Sequence, residues 1–262
     1  MKKNILIVSG IYPPDIGGPA TFSKEILDFI NLKKDKVKLI TLQDKANARI
    51  DEKNIIKIYR QQNKIIRTLK LIWKIRKYSK NIHSILCCGL ILETYLSQVG
   101  LKNKKIYRFV SDSIYDKYLS EKENIYSRRE NNICLSLLFF FRNKILKSFD
   151  LIITPSEYLK KYYFKKVGDS KIKIISNFTS INLKNFRETN KVKKSSQEQF
   201  DLVVISRFVK AKNISYLIEA FKELEDFNLH IYGSGPEEEN YRNQINKNKS
   251  KNIFIYGQKK KE

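Results

Sequence analysis

The 262-residue sequence is poor in the residues that form disulfide frameworks and zinc sites. It contains three Cys, two His, one Trp and one Met. Two of the cysteines, Cys87 and Cys88, are adjacent. Three cysteines in a chain of this length do not make a disulfide framework, and with two histidines they leave little for a zinc site. We therefore expect a protein of a reducing compartment that binds no metal.

Long apolar runs are also lacking. The N-terminal apolar stretch ends by Ser9 and leads into Tyr12-Pro-Pro-Asp15, which argues against a signal peptide. The stretch 82–101 contains a His and a Glu, and the stretch 133–141 is about half the length of a bilayer-spanning helix. The sequence predicts a cytoplasmic protein, either free or peripheral at the inner face of the cell membrane.

Acidic residues are scarce, with 27 Asp and Glu against 52 Lys and Arg and a formal net charge of +25. The excess is uneven, because residues 200–262 carry 11 basic and 9 acidic residues and residues 1–199 carry the remainder. A strongly basic surface attracts phosphates of nucleic acid, anionic lipid or a phosphorylated substrate. A lysine-rich coding bias is the alternative, although the nearly neutral last 63 residues share that composition.

The apolar content of 42% supports a sizeable core. Short apolar runs typical of buried parallel strands alternate with helical patterns, first up to residue 175 and again from Phe200. This alternation predicts an α/β protein with two Rossmann-like, doubly wound domains. We expect a first domain at 1–180, a polar linker at 181–199 and an incomplete second domain at 200–262, with three strands and two helices.

Ligands of open α/β sheets bind beyond the carboxyl ends of the strands, where three turns stand out. In Tyr12–Pro19, Gly17 and Gly18 allow close approach to the backbone, and the following helix N-terminus favours an anion. In Ser206–Asn213, Arg207 and Lys212 flank one turn and could bind a diphosphate. The alternative for Gly17 and Gly18 is a plain turn without a ligand. The alternative for Arg207 and Lys212 is a pair of solvated surface charges.

The third turn is Gly233-Ser-Gly235-Pro236, which alone indicates a tight turn before a helix. Together these segments resemble the GT-B retaining glycosyltransferases of family 4, whose motifs they follow in order over almost the whole chain. The matching segments are Ile11-Tyr-Pro-Pro-Asp-Ile-Gly-Gly18, Asp150-Leu-Ile-Ile-Thr-Pro-Ser-Glu-Tyr-Leu159, Ile174-Ile-Ser-Asn-Phe178, Ile205-Ser-Arg-Phe-Val-Lys-Ala-Lys-Asn213, Leu229-His-Ile-Tyr-Gly-Ser-Gly-Pro236 and Ile253-Phe-Ile-Tyr-Gly257. Phe178 and Ser206 stand where the family usually has Gly.

The resemblance implies a GT-B fold and sugar transfer from a nucleotide sugar to a glycan or lipid-linked acceptor, with retention and without a metal or other cofactor. Arg207 and Lys212 match the pair that neutralises the donor diphosphate. Gly17, Gly18, Gly233 and Gly235 match the donor-binding loops. Asp112, in Tyr107-Arg-Phe-Val-Ser-Asp112, is the candidate catalytic residue on the acceptor side, with a helix cap as the alternative.

The family's E-x7-E segment, whose carboxylates hold the sugar and the ribose, has no match in residues 1–262. We therefore expect a chain truncated at its C-terminus, with weak or no turnover. A non-catalytic subunit, completed by a second chain that supplies the missing part, is an alternative. A nucleic-acid-binding protein would explain the charge, but the sequence shows no recognition motif for nucleic acid.

For two predicted helices, the sequence does not decide which surface each one packs against. Lys64–Lys80 combines a basic face with an apolar one, which suits either an anionic membrane surface or the packing of one face on a sheet. The very apolar Asn131–Ser148 favours a core helix over one that inserts into lipid.

Overall fold

The computed structural model describes residues 4–44, 54–110, 133–161, 168–177, 200–224 and 226–258. The chain divides into two compact units. Their described residues lie within 4–177 and 200–258. The predicted linker 181–199 and the candidate Asp112 lie outside the described residues.

The first unit is built on a seven-stranded parallel sheet with the order β3-β2-β1-β4-β5-β6-β7. Its central strands are nearly continuous apolar runs, because a parallel sheet is covered on both faces. Leu6, in an inner strand of the sheet, pairs with Lys38 on one side and Ile85 on the other. The strands are β1 (Asn4–Ser9), β2 (Lys36–Gln43), β3 (Ile55–Tyr59), β4 (Ser84–Cys87), β5 (Lys104–Arg108), β6 (Leu151–Thr154) and β7 (Ile172–Ile174).

Four labelled helices accompany this sheet: α1 (Gly18–Leu32), α2 (Lys64–Ser79), α3 (Ile91–Ser97) and α4 (Ile133–Lys147). Successive strand residues face opposite sides, so the strands build two cores. On one face Leu71 and Ile75 of α2 pack with Leu6 and Ile85. On the other face Leu27 of α1 packs with Ile7 and Leu39, and Cys88 belongs to the same cluster.

The second unit contains a three-stranded parallel sheet with the order β10-β9-β8. Its elements are β8 (Phe200–Ile205), α5 (Ile214–Phe221), β9 (Phe227–Tyr232), α6 (Glu238–Asn248) and β10 (Ile253–Tyr256). Ile218 of α5 and Tyr241 of α6 pack on Leu229 and Ile231. On the opposite face Val203 and Ile205 are 57% and 83% exposed. This domain is therefore partial, with one covered face of its sheet.

The sequence pattern predicted the type and order of these elements, and the ends differ by a few residues. Helix α3 ends at Ser97, although the helical pattern of the sequence after β4 extends over Leu90–Leu101. The helix at 131–148 was expected to lie in the core, and Phe139 and Leu146 are indeed buried. The expectation is wrong for four other large side chains of this helix, which are exposed: Leu137, Leu138, Phe140 and Phe141. None of the helices in the described residues has the length and apolar content that crossing a bilayer requires.

Candidate functional site

In the second unit, two turns meet at the carboxyl edge of the sheet. The turn after β8 donates from the Phe208 amide to the Ser234 carbonyl oxygen, at 2.9 Å. The Glu237 amide, at the start of α6, donates back to the Phe208 carbonyl oxygen, at 3.2 Å. The turn that carries Arg207 is therefore fixed to the turn that contains Gly233 and Gly235.

Gly233 and Gly235 make this contact sterically feasible. Their φ angles are +152° and +155°, which side-chain-bearing residues rarely adopt. A Cβ atom on Gly233 would collide with the Ser206 carbonyl oxygen, and one on Gly235 with the Phe208 carbonyl group. These predicted donor-binding glycines thus lie against protein backbone, and their absent side chains allow the two turns to touch.

A buried aromatic pair supports the same turn from below. Phe208 is fully buried and meets Tyr241 of α6 edge to face, with ring centroids 5.6 Å apart. Because Phe208 is anchored, the residues on either side of it are held at the edge of the sheet. Arg207 precedes this anchor, and Lys212 ends the short 3-10 helix Lys210–Lys212 that follows it.

Arg207 and Lys212 are both exposed at this edge. Within the described residues, neither of them forms an ion pair with a carboxylate. Asn213 next to them adopts a left-handed conformation and precedes α5 without a side-chain cap. The turn thus presents Arg207, Lys212 and the equally exposed Lys210 beside a helix N-terminus, an arrangement that attracts a phosphate or diphosphate.

In the first unit, the predicted glycine pair lies where β1 leads into α1. Gly17 is the N-cap, and its carbonyl oxygen accepts from the amides of Ala20 and Thr21 at 3.0 and 3.1 Å. A Cβ atom on Gly17 would approach the Ile11 side chain to 2.9 Å. A Cβ atom on Gly18 would meet nothing within 4 Å, so internal packing does not require a glycine there.

Arg60, which follows β3, holds this loop in place. Its guanidinium donates to the carboxylates of Asp15 at 2.6 Å and Asp44 at 3.1 Å. It also lies 3.4 Å from the carbonyl oxygens of Gly10 and Leu42. The hydrogen bond to Asp15 is the main cause that raises the pKa of Arg60. One cation therefore ties the loop to the ends of three neighbouring strands.

A second arginine lies at the carboxyl end of β5. Arg108 is 7% exposed, and its guanidinium carbon lies 3.5 Å from the centre of the Phe22 ring of α1. Nη2 donates to Oδ1 of Asn177, beyond β7, at 2.6 Å. Burial lowers the pKa of Arg108, and the nearby Cys88 thiolate would oppose that effect. This arginine joins α1, β5 and the segment after β7.

Neither arginine was among the predicted site residues. Each directly follows or ends an apolar strand, at Ile55–Tyr59 and Lys104–Arg108, and that position was the available signal. The sequence does not reveal which strand ends are neighbours, because the order β3-β2-β1-β4-β5 reverses at β1 and places β1, not β3, beside β4. Among the residues the structure describes, no group of three or more His, Cys, Asp or Glu could hold a metal ion.

Comparison with protein families gives one match. Residues 185–262 match the family model described as Glycosyl transferases group 1. This range includes the turn with Arg207 and Lys212 and the turn with Gly233 and Gly235. No curated protein sequence matches the chain.

Several solved structures share the fold. A lipopolysaccharide outer core galactosyltransferase, WaaB in apo form, superposes with a TM-score of 0.64 and 14% identity, over 99% of this chain and 68% of that one. Anabaena HepE in complex with UDP and glucose gives a TM-score of 0.66 and 14% identity, over 98% of this chain and 70% of that one. A glycosyltransferase from Rickettsia africae gives 0.62 and 18%, over 98% and 69%.

These likenesses establish the fold. The α/β, GT-B type architecture expected from the sequence is confirmed, with a seven-stranded parallel sheet in the first domain and a partial second domain. The matched family and the matched structures are those of glycosyltransferases.

Proposed function

We propose that the chain is a glycosyltransferase of family 4 whose second unit binds the diphosphate of a nucleotide sugar through Arg207 and Lys212. The observation that carries this proposal is the pair of exposed cations without carboxylate partners in the described residues, in a turn fixed by Phe208 and by the glycine turn. The match of residues 185–262 to the glycosyltransferase family supports it. So does the structural likeness to HepE, which was solved with UDP-glucose.

The proposed chemistry needs no metal. When the bond between the sugar and the diphosphate breaks, negative charge grows on the departing nucleotide. Arg207 can donate two parallel N–H bonds to phosphate oxygens, and Lys212 adds a compact charge. Both cations would stabilise that charge more strongly in the transition state than in the bound donor. The acceptor is proposed to be a glycan or lipid-linked sugar, the transfer is proposed to retain the anomeric configuration, and Asp112 remains the candidate acceptor-side residue.

Binding of the donor and its turnover are separate expectations. The E-x7-E spacing of family 4, which resemblance assigns to the sugar and the ribose, does not occur in residues 1–262. We therefore propose that this chain binds nucleoside diphosphates and transfers sugar weakly or not at all by itself. Robust transfer by the purified chain would contradict the second part of the proposal and leave the first intact.

The binding proposal is tested by isothermal titration calorimetry with UDP, GDP, ADP and CDP. Hydrogen bonds to charged groups contribute about 1.5–3 kcal/mol, so Arg207→Ala should weaken the preferred nucleotide by about 10-fold or more. Lys212→Ala should act in the same direction.

Lys210→Ala is the matched control, because Lys210 is exposed in the same turn and carries the same charge. The nucleotide affinity of this variant should change by less than about threefold, because an exposed lysine that does not contact the phosphates contributes only a screened charge. Equal losses in all three variants would show a general electrostatic effect and contradict a specific pair. Absence of binding to all four nucleotides would refute the donor site.

A further inference from the structure

Three helices of the first unit lie side by side on one face of the sheet. Ile85 of β4 packs with α2, and Cys87, two residues later on the same face, packs with Leu146 of α4. Helix α3 contacts both α2 and α4. Arg76 of α2 donates to the carbonyl oxygens of Ser97 and Val99, at 3.1 and 2.8 Å. The outer sides of these helices therefore form one continuous surface.

Each of the three helices turns large apolar side chains outward at helical spacing. Trp73 is 59% exposed, Leu96 is 41% exposed and Phe140 is 63% exposed. We call this the α2–α3–α4 face, and its apolar members are Ile66, Leu69, Trp73, Leu92, Leu96, Val99, Leu137, Phe140 and Phe141. The sheet is already covered by other residues of the same helices, so these side chains are not needed for its core.

The charge of these three helices is almost entirely of one sign. Helix α2 contains six Lys or Arg and α4 contains three, and neither helix contains an Asp or Glu. Exposed Lys70, Lys77 and Lys144 are interleaved with the apolar side chains, and the Lys77 ammonium lies 5.0 Å from the centre of the Trp73 ring. The acidic residue of the three helices is Glu93 of α3.

Helix α1, on the opposite face of the sheet, differs in this respect. It also exposes apolar residues, Phe29 at 55% and Leu32 at 80%. It carries two acidic residues, however, and Lys24 forms an ion pair with Asp28 at 2.9 Å. The absence of acids is thus a property of particular helices and not of every helix in this lysine-rich chain.

We propose that the α2–α3–α4 face docks the protein on the surface of an anionic phospholipid bilayer. Apolar side chains enter the interface between head groups and acyl chains, and lysines between them neutralise lipid phosphates. A nucleic acid would pair with the lysines and leave the leucines and isoleucines against phosphate and sugar, so the observations favour lipid. The proposal is independent of the donor site in the second unit.

Trp73 provides a direct probe, because it is the single tryptophan of the chain. Its fluorescence is recorded with vesicles of phosphatidylcholine alone and of phosphatidylcholine mixed with phosphatidylglycerol. We expect the emission of Trp73 to shift to the blue with the anionic vesicles and not with phosphatidylcholine alone. We expect the emission to be quenched when the acyl chains of the anionic vesicles are brominated. Raised salt should reduce the effect, since screening weakens the lysine–phosphate attraction.

Variants then test the composition of the face by vesicle co-sedimentation. Each Lys near an anionic surface contributes about a fivefold factor in affinity, so Lys70→Gln with Lys77→Gln should bind about 25-fold more weakly. Phe140→Ala with Phe141→Ala should weaken binding by about 100-fold or more, because each position loses the apolar transfer energy of one side chain, about a 10-fold factor. These four side chains are exposed, so the variants are expected to fold.

Two matched controls separate this face from a general effect. Lys247→Gln with Lys251→Gln removes the same charge from exposed positions of the second unit. Phe29→Ala removes an exposed aromatic residue of α1 that has a lysine 5.6 Å from the centre of its ring. It is the control for Trp73→Ala, which removes the corresponding aromatic residue of α2. Both controls should bind anionic vesicles like the parent chain.

Several results would overturn the proposal. One is an unchanged Trp73 spectrum with anionic vesicles, and another is equal losses in the controls and the face variants. If generic DNA shifts the Trp73 emission and vesicles do not, the face binds nucleic acid. If sedimentation shows a dimer that Trp73→Ala dissociates and vesicles again have no effect, the face is an interface between copies.

Discussion

The contact between the two turns of the second unit gives a sharp prediction for Gly233→Ala. The new Cβ atom would lie 2.9 Å from Cε1 of Phe208 and still closer to the Ser206 carbonyl oxygen. Real Cβ atoms essentially never come within 3.0 Å of such atoms. Because one of these atoms belongs to the backbone and the other to a buried ring, neither can turn away as a flexible side chain would. The two turns must separate.

The magnitude follows from what separation disrupts. Two hydrogen bonds join the turns, Phe208 N to Ser234 O and Glu237 N to Phe208 O. Each contributes about 1 kcal/mol, and holding alanine at a φ of +152° costs about 1–3 kcal/mol more. We expect local stability to fall by about 3–5 kcal/mol. Gly235→Ala, which meets the Phe208 carbonyl group, should have a similar effect.

Hydrogen–deuterium exchange followed by mass spectrometry measures this locally. Peptides from β8 and β9 should exchange about 100-fold faster or more in Gly233→Ala, with little change in β1 and β4 of the first unit. Gly18→Ala is the matched control, because its Cβ atom meets nothing within 4 Å, and its exchange should stay near that of the parent chain. If Gly233→Ala left β8 and β9 as protected as Gly18→Ala does, the argument from backbone contact would be refuted.

Two further predictions concern the first unit. Arg60→Ala should lower the free energy of unfolding by about 1–2 kcal/mol in urea denaturation, because it leaves the largely buried Asp15 carboxylate without its charged donor. Arg242→Ala, which breaks an exposed pair with Glu238 at 2.8 Å, should cost less than about 0.5 kcal/mol, and equal costs would contradict the role assigned to Arg60. Burial raises the pKa of Cys87 to about 12 and that of Cys88 to about 11, so in a Cys134→Ser background neither thiol should react with Ellman's reagent at pH 8 before the chain unfolds. These folded-state pKa values lie above the pKa of a thiol in the unfolded chain. The contribution of the two neutral thiols to the free energy of unfolding is therefore complete below about pH 8.5, and it is lost as the pH rises from there through 11 to 12. Rapid labelling of the native protein, or a free energy of unfolding that increases with pH above pH 9, would contradict the burial of these two thiols.

Much of the architecture could be predicted from periodicity alone. Buried parallel strands are short apolar runs. Four such runs predict β3, β6, β9 and β10 with the bounds that the structure has, namely Ile55–Tyr59, Leu151–Thr154, Phe227–Tyr232 and Ile253–Tyr256. Helix ends were harder, because local capping decides them. The helix after β4 ends at Ser97, where the Gln98 amide bonds the Thr94 and Tyr95 carbonyl oxygens.

The candidate site was predictable in part. Sequence placed Arg207 and Lys212 in one turn at the carboxyl edge, where the structure has them. It did not show that Gly233 and Gly235 lie against the Ser206 and Phe208 carbonyl groups, because that contact joins segments about 27 residues apart through strand pairing. Whether these residues bind a donor stays a prediction.

Helix α4 shows why a very apolar helix cannot be assigned to a core from its sequence. Apolar residues occur all round α4, which is typical of burial on every side. In the structure Phe139 and Leu146 are buried, whereas Leu137, Phe140 and Phe141 are exposed. Helix α2, which is basic, exposes Trp73 in the same way. Helix α4 exposes apolar side chains that take no part in its core contact, and helix α2 combines such side chains with cations. Only their placement on one face of the sheet unites the two features, and the nine Lys and Arg residues of α2 and α4 are the part of the basic excess that belongs to these two helices.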